Sequence, residues 1–174
     1  MLETLISSKT RVKLLLKLFL NSRTRAYLRG LEEEFGENSN AIRLELNKLE
    51  NAGMIQSEQS GNKKMFMANT RHPLFGEIHN ILLKHIGIDT IIDRIITQLG
   101  EVDKVFLVGS LARGKDSDII DIEIVGSPNL PYLVELIARA EQMMKRKIRY
   151  VVYQPGEWKE QESGDDRLLI WSGA

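Results

Sequence analysis

The sequence predicts an α+β fold in two domains: helices followed by a β-hairpin at the N-terminal end, then a mixed sheet with flanking helices. Three observations lead there. Apolar residues recur at intervals of three and four along the first fifty positions, whereas beyond residue 100 they run continuously or alternate, as strands require. The segment Asn69-Thr70-Arg71-His72-Pro73 interrupts the pattern, because proline disfavours helix in the residue before it and suits the first turn of a new one. Splitting the chain at residue 70 gives 11 Lys/Arg against 8 Asp/Glu before it and 13 against 16 after it, a modest asymmetry that points the first part toward polyanions. The expected boundaries are therefore 1–70 and 88–174, joined by a connecting helix over 71–87.

Ser8 or Thr10 can cap a first helix that runs through Leu20, with Val12, Leu15, Leu16 and Phe19 on its apolar face. Asn21-Ser22 stops it, and an extended piece over Thr24 to Tyr27 leads into a second helix, Leu28 to Phe35, which Gly36 terminates. A third helix starts at Asn38-Ser39 and reaches Ala52, where Gly53 can adopt the left-handed conformation. Ile42, Leu46 and Leu49 fall within about 40° of arc and face the core. Asn40, Arg43 and Asn47 project from another side, where amides and a guanidinium suit base edges and phosphates. Two strand-like runs follow around Ser60-Gly61-Asn62 and read as a β-hairpin, with Lys63 and Lys64 able to touch a phosphate backbone from its tip.

The order helix, helix, helix, hairpin, with the stretch Ser39-Asn40-Ala41-Ile42-Arg43-Leu44-Glu45-Leu46-Asn47-Lys48-Leu49-Glu50-Asn51-Ala52-Gly53-Met54-Ile55, resembles the winged helix-turn-helix of ArsR-like transcriptional regulators over residues 8 to 70. The resemblance implies a symmetric dimer on double-stranded DNA, with successive major grooves read by two recognition helices. Ser39, Asn40, Arg43 and Asn47 on that helix, with Lys63 and Lys64 on the wing, are the expected DNA contacts. Glu32-Glu33-Glu34 would then face away from DNA. Winged helices also serve as protein-binding or dimerisation modules.

Residues 73 to 86 set Leu74, Ile78, Ile81, Leu82 and His85 at helical spacing, so this helix is expected to pack between domains or subunits and is the candidate for dimer contacts. His79 and His85 lie six apart, a poor metal-binding spacing on a helix. A further helix, Thr90 to Leu99, is capped by Asp89, carries Ile91, Ile92, Ile95, Ile96 and Leu99, and stops at Gly100.

The apolar run Val105-Phe106-Leu107-Val108 within residues 102 to 108 reads as a buried strand ending at Gly109-Ser110, with Gly114 beyond. In Ile119-Ile120-Asp121-Ile122-Glu123-Ile124-Val125, alternation sets Ile120, Ile122 and Ile124 on one face and Asp121 and Glu123 on the other. Acids two apart on a strand lie about 7 Å apart along the chain, close enough to share divalent cations. A Gly-Ser turn upstream lets a triphosphate approach the backbone. This combination suits metal-assisted nucleotidyl transfer.

Gly109-Ser110-Leu111-Ala112-Arg113-Gly114 followed by Asp121-Ile122-Glu123 resembles the signature of polymerase-β-type nucleotidyltransferases, above all the minimal ones, over residues 88 to 155. The resemblance implies that Gly109, Ser110, Arg113 and Gly114 bind a nucleoside triphosphate, and that Asp121 and Glu123 are catalytic and hold Mg2+. Two positions depart from the family. Ile120 stands where a serine usually precedes the first metal-binding acid. After a helix over Pro131 to Met144, the strand Ile148 to Tyr153 matches the one that supplies a third carboxylate, and the corresponding residue is Arg149. A guanidinium there would favour the ionised acids and replace the metal's charge by a salt bridge, without acting as ligand or base. Asp116 and Asp118 are loop acids that could compensate; Lys145-Arg146-Lys147 reads as a helix end whose charges favour the dipole. The expected function is a DNA-binding transcriptional regulator whose degenerate nucleotidyltransferase-like domain binds nucleotide or a protein partner. The alternative is an active Mg-dependent enzyme, transferring a nucleoside monophosphate to a protein, nucleic-acid or small-molecule acceptor, including as an antitoxin-type module.

The absence of cysteine excludes disulfides, thiol catalysis and thiolate zinc sites, and three histidines make structural zinc a poor fit. Val12 to Leu20 is too short and too interrupted by lysine to span about 30 Å of hydrocarbon. Met1-Leu2-Glu3-Thr4 shows no basic leader, so no membrane association and a cytoplasmic location are expected. In the tail, Gln154-Pro155-Gly156 turns the chain, Glu157 to Asp166 is a polar turn or loop, and Leu168 to Trp171 adds an edge strand or packs over the sheet. Trp158 and Trp171 are expected in a core or interface rather than stacking on bases.

Overall fold

A computed structural model describes residues 1–95, 98–159 and 166–173. Ile96 and residues 160–165 of the expected polar tail lie outside the described residues. The fold is α+β, with eight helices and two sheets among the described residues. It divides into two compact units, Met1–His85 and Ile86–Ala174, so the helix expected to connect two domains belongs almost wholly to the first unit. No helix among the described residues is long and apolar enough to cross a membrane.

The first unit begins with a short helix the sequence did not announce, α1 (Leu2–Leu5), before α2 (Lys9–Phe19). Ser8 caps α2, its hydroxyl accepting from the Arg11 amide at 3.2 Å. Leu14 and Leu18 are buried as well as the expected face, because α2 packs against α1, α4 (Ser39–Asn51) and β2 (Lys63–Ala68). Between them, α3 (Leu28–Phe35) ends where Gly36 takes a left-handed conformation, φ 62°. Asn38 caps α4 by accepting from the Asn40 amide at 2.7 Å.

The hairpin pairs β1 (Ile55–Ser60) with β2 antiparallel, and Gly61 supplies the positive φ its turn requires. Ala26, in the predicted extended piece, bridges Phe66 of β2, with Phe66 N donating to Ala26 O at 2.7 Å. Helix α5 (Phe75–Ile86) stacks Phe75 on Phe19, ring centroids 5.9 Å apart, and His79 Nδ1 lies 2.9 Å from the Phe19 carbonyl. Leu82 and Ile86 are buried, whereas Leu74 and Ile81 of the predicted stripe are exposed.

The second unit runs α6 (Ile88–Ile95), β3 (Gly100–Val108), α7 (Gly109–Ala112), β4 (Ile119–Pro128), α8 (Leu130–Met144), β5 (Lys147–Tyr153) and β6 (Arg167–Ser172). Its four strands order as β5-β4-β3-β6. β4 and β5 are parallel, linked through α8 as a parallel crossover requires, and the other pairs are antiparallel. Ile120, Ile122 and Ile124 are buried together with Val105, Leu107 and Ile148. The tail's apolar run is the edge strand β6.

Candidate functional site

The buried isoleucines of β4 turn Asp121 and Glu123 to the opposite face, as alternation predicts. Gly109 bends the chain at the end of β3 with φ 71°, and a Cβ there would come within 2.7 Å of Asp121 Oδ2. The acid therefore lies directly over the bend, and any side chain at 109 would have to push against the carboxylate that Arg149 holds. The parallel register pairs Asp121 with Arg149. Arg149 donates through Nε to Asp121 Oδ1 at 2.6 Å and through Nη2 to Oδ2 at 3.0 Å, a bidentate fork. Hydrogen bonding to Asp121, then its charge, hold the Arg149 pKa above the usual arginine value.

A second guanidinium, from Arg167 on β6, occupies Glu123: Nη2 donates to Oε1 at 3.2 Å and Nε lies 3.1 Å from Oε2. That second contact is an ion pair outside hydrogen-bond geometry, and Oε2 has no hydrogen-bond partner among the described residues. Sequence reasoning missed Arg167; a lone arginine ahead of an apolar run carries no local signal of its partner. The side chains of Asp121 and Glu123 retain only 20% and 13% of their exposure.

Of the other predicted nucleotide contacts, Ser110 lies in α7 with its carbonyl accepting from Lys115 N at 3.0 Å. Gly114 is buried with positive φ, and Arg113 is 3.9 Å from Asp166. The loop acid Asp116 is held by Arg146 at 2.9 Å, while Asp118 is exposed. Lys145 closes α8 in a left-handed conformation and Lys147 pairs with Glu141. Trp158 stacks on Phe106 at 5.3 Å with Lys104 above it, and Phe106 is the register partner of Glu123.

This donor set does not fit a divalent cation as it stands. Asp121 already faces the Arg149 guanidinium and Glu123 that of Arg167, so a cation would have to displace both.

In the first unit, α4 buries Ile42, Leu46 and Leu49 and exposes Asn40, Arg43 and Asn47; Ser39, its first residue, is half-buried. Arg43 forms no ion pair with an acidic side chain among the described residues. Lys63 Nζ sits 4.1 Å from the centre of the Tyr27 ring, whereas Lys64 is tied to Glu50 at 2.9 Å. Glu34 pairs with Lys17 and Glu33 with Arg29. Sequence reasoning also missed what fastens α4. Glu45 is 7% exposed, accepting from Arg11 Nε at 2.7 Å and Ser8 Oγ at 3.1 Å. Burial opposes its charge, but bonds from Arg11 and Ser8 and the nearby cations outweigh that and keep its pKa below the ordinary glutamate range.

No protein-family model and no curated protein matches the chain. A crystal structure of AF1382 from Archaeoglobus fulgidus is similar at 18% identity and a TM-score of 0.38, covering 56% of this chain and 98% of that one. A likeness that distant bears on neither fold nor function.

Proposed function

We propose that the chain is a DNA-binding transcriptional regulator: a winged-helix unit carries a nucleotidyltransferase-like unit that has lost catalysis and is retained for binding. The carrying observation is the α4 face, where Asn40, Arg43 and Asn47 are exposed together on a helix whose other side is anchored in the core. Such a face offers paired donors and acceptors to base edges, and Arg43 has no acid to satisfy it first among the described residues. For the second unit, the two arginines standing against Asp121 and Glu123 support binding without transfer.

Selection from a randomised duplex pool at moderate salt should enrich a preferred sequence. Arg43→Ala should weaken that preferred binding by about 1–3 kcal/mol, measured by fluorescence anisotropy. A pool that enriches nothing would sink the reading. Incubation with labelled ATP and magnesium should transfer no label; transfer abolished by Asp121→Ala would instead show an enzyme.

A further inference from the structure

A groove of about 460 Å³ opens between α4 and the hairpin, within the size range of small-molecule sites. Its floor is apolar, formed by Leu46 and Phe66, and its wall is Tyr27 and Leu28. Four cations stand around it, Arg29, Arg43, Lys63 and Lys64, and no acid is among the residues that line it. Glu33 answers Arg29 and Glu50 answers Lys64 from outside the lining, so the uncompensated charge comes from Arg43 and Lys63.

The wall is held in place. The Lys63 ammonium sits 4.1 Å from the centre of the Tyr27 ring, and Gly30 packs so closely on it that a Cβ there would come within 3.1 Å. A phosphate backbone alone would satisfy the cations and leave the aromatic wall and apolar floor wet. A hydrocarbon alone would strand the cations against an apolar ligand. The lining matches a molecule combining a flat apolar body with an anionic group.

We infer that this groove binds a small planar organic anion, an aromatic carboxylate or phosphate, and that its occupancy competes with DNA. Binding to the groove stands apart from the function proposed above; only the competition rests on it. The ligand's anion would engage Arg43 and Lys63, the same cations that a duplex would need, so both cannot hold them together.

Calorimetry on the full chain with 1-naphthoate, and with neutral 1-naphthalenemethanol as control, tests the proposal. Naphthoate should bind saturably at one site. The neutral analogue, and naphthoate on the Arg43→Gln/Lys63→Gln double variant, should bind about tenfold more weakly or worse, as expected for losing a charge-assisted hydrogen bond. Both substituted side chains are exposed, so the variant should fold, which its thermal melt checks. No saturable binding, or equal affinity for the acid and the alcohol on the unaltered protein, overturns the proposal. If naphthoate binds as described but no duplex is recognised, the groove assignment stands and the DNA reading falls.

Discussion

Truncating Glu45 to alanine tests how the exposed face of α4 is held. The carboxylate accepts 2.7 Å and 3.1 Å bonds from Arg11 and Ser8, both near α2, while Lys48 adds a looser contact at 3.6 Å. A hydrogen bond to a charged group contributes about 1.5–3 kcal/mol net. The Arg11 side chain is 37% exposed, so solvent screening puts its share at the lower end, about 1.5 kcal/mol. With about 0.5–1 kcal/mol for the Ser8 bond, Glu45→Ala should cost about 2–2.5 kcal/mol. In a unit of this size that lowers Tm by about 10–20 °C. Thermal and urea melts followed by circular dichroism on Glu45→Ala, Arg11→Ala and the double variant would isolate a coupling of about 1.5 kcal/mol. Additivity of the two single variants to within about 0.3 kcal/mol would refute the reasoning.

The same contact makes a statement about pH. Because the folded pKa of Glu45 lies below its unfolded value, its ionic contribution is complete above the unfolded pKa, about 4.3, and disappears as pH falls through the folded one. The stability gap between the natural chain and Glu45→Gln should stay constant from about pH 7 to 5 and close below that. Glu37 and Glu50 are also held low: burial opposes the Glu37 charge but bonds from Lys13 and Thr10 outweigh it, and Ser57 and Lys64 hold Glu50. Acid should therefore loosen several fastenings of the first unit together.

Two further outcomes concern the second unit. Arg167→Ala strands Glu123 with little solvent and no counter-ion in contact, so that unit should lose about 2–3 kcal/mol in urea melts, most of it restored by adding Glu123→Leu. Gly109→Ala combines a positive φ with a 2.7 Å clash against Asp121, whereas Gly36→Ala combines a positive φ with open space. The first should cost more than about 1 kcal/mol and the second clearly less than the first, measured by the same melts.

What the sequence made legible was local. Gly36 and Gly53 end helices because few other residues enter the left-handed region cheaply, and that signal needs no partner. Asp121 and Glu123 share a face because a strand alternates. Arg149 was singled out only through the resemblance of its strand to one that carries a third acid, and the register sets it beside Asp121. Arg167 had no such guide: it reaches Glu123 from the far edge of the sheet, along a strand whose pairing with β3 shifts register between Val105 and Phe106. Glu45 is a parallel case, a carboxylate beside the apolar stripe of α4 whose burial depends on Arg11, 34 residues earlier. α2 was predicted to have one apolar face and has several buried ones, because α1 is too short to show a periodicity. Periodicity thus tells which way a charged side chain points, while tertiary register decides what neutralises it. For this sheet the distinction carries chemical weight. Arg149 alone would leave Glu123 as one acid still open to a cation, and Arg167 answers it from the opposite edge of the sheet. The two arginines must accordingly be tested together: Arg149→Asp with Arg167 retained should bind a divalent cation more weakly than Arg149→Asp combined with Arg167→Ala.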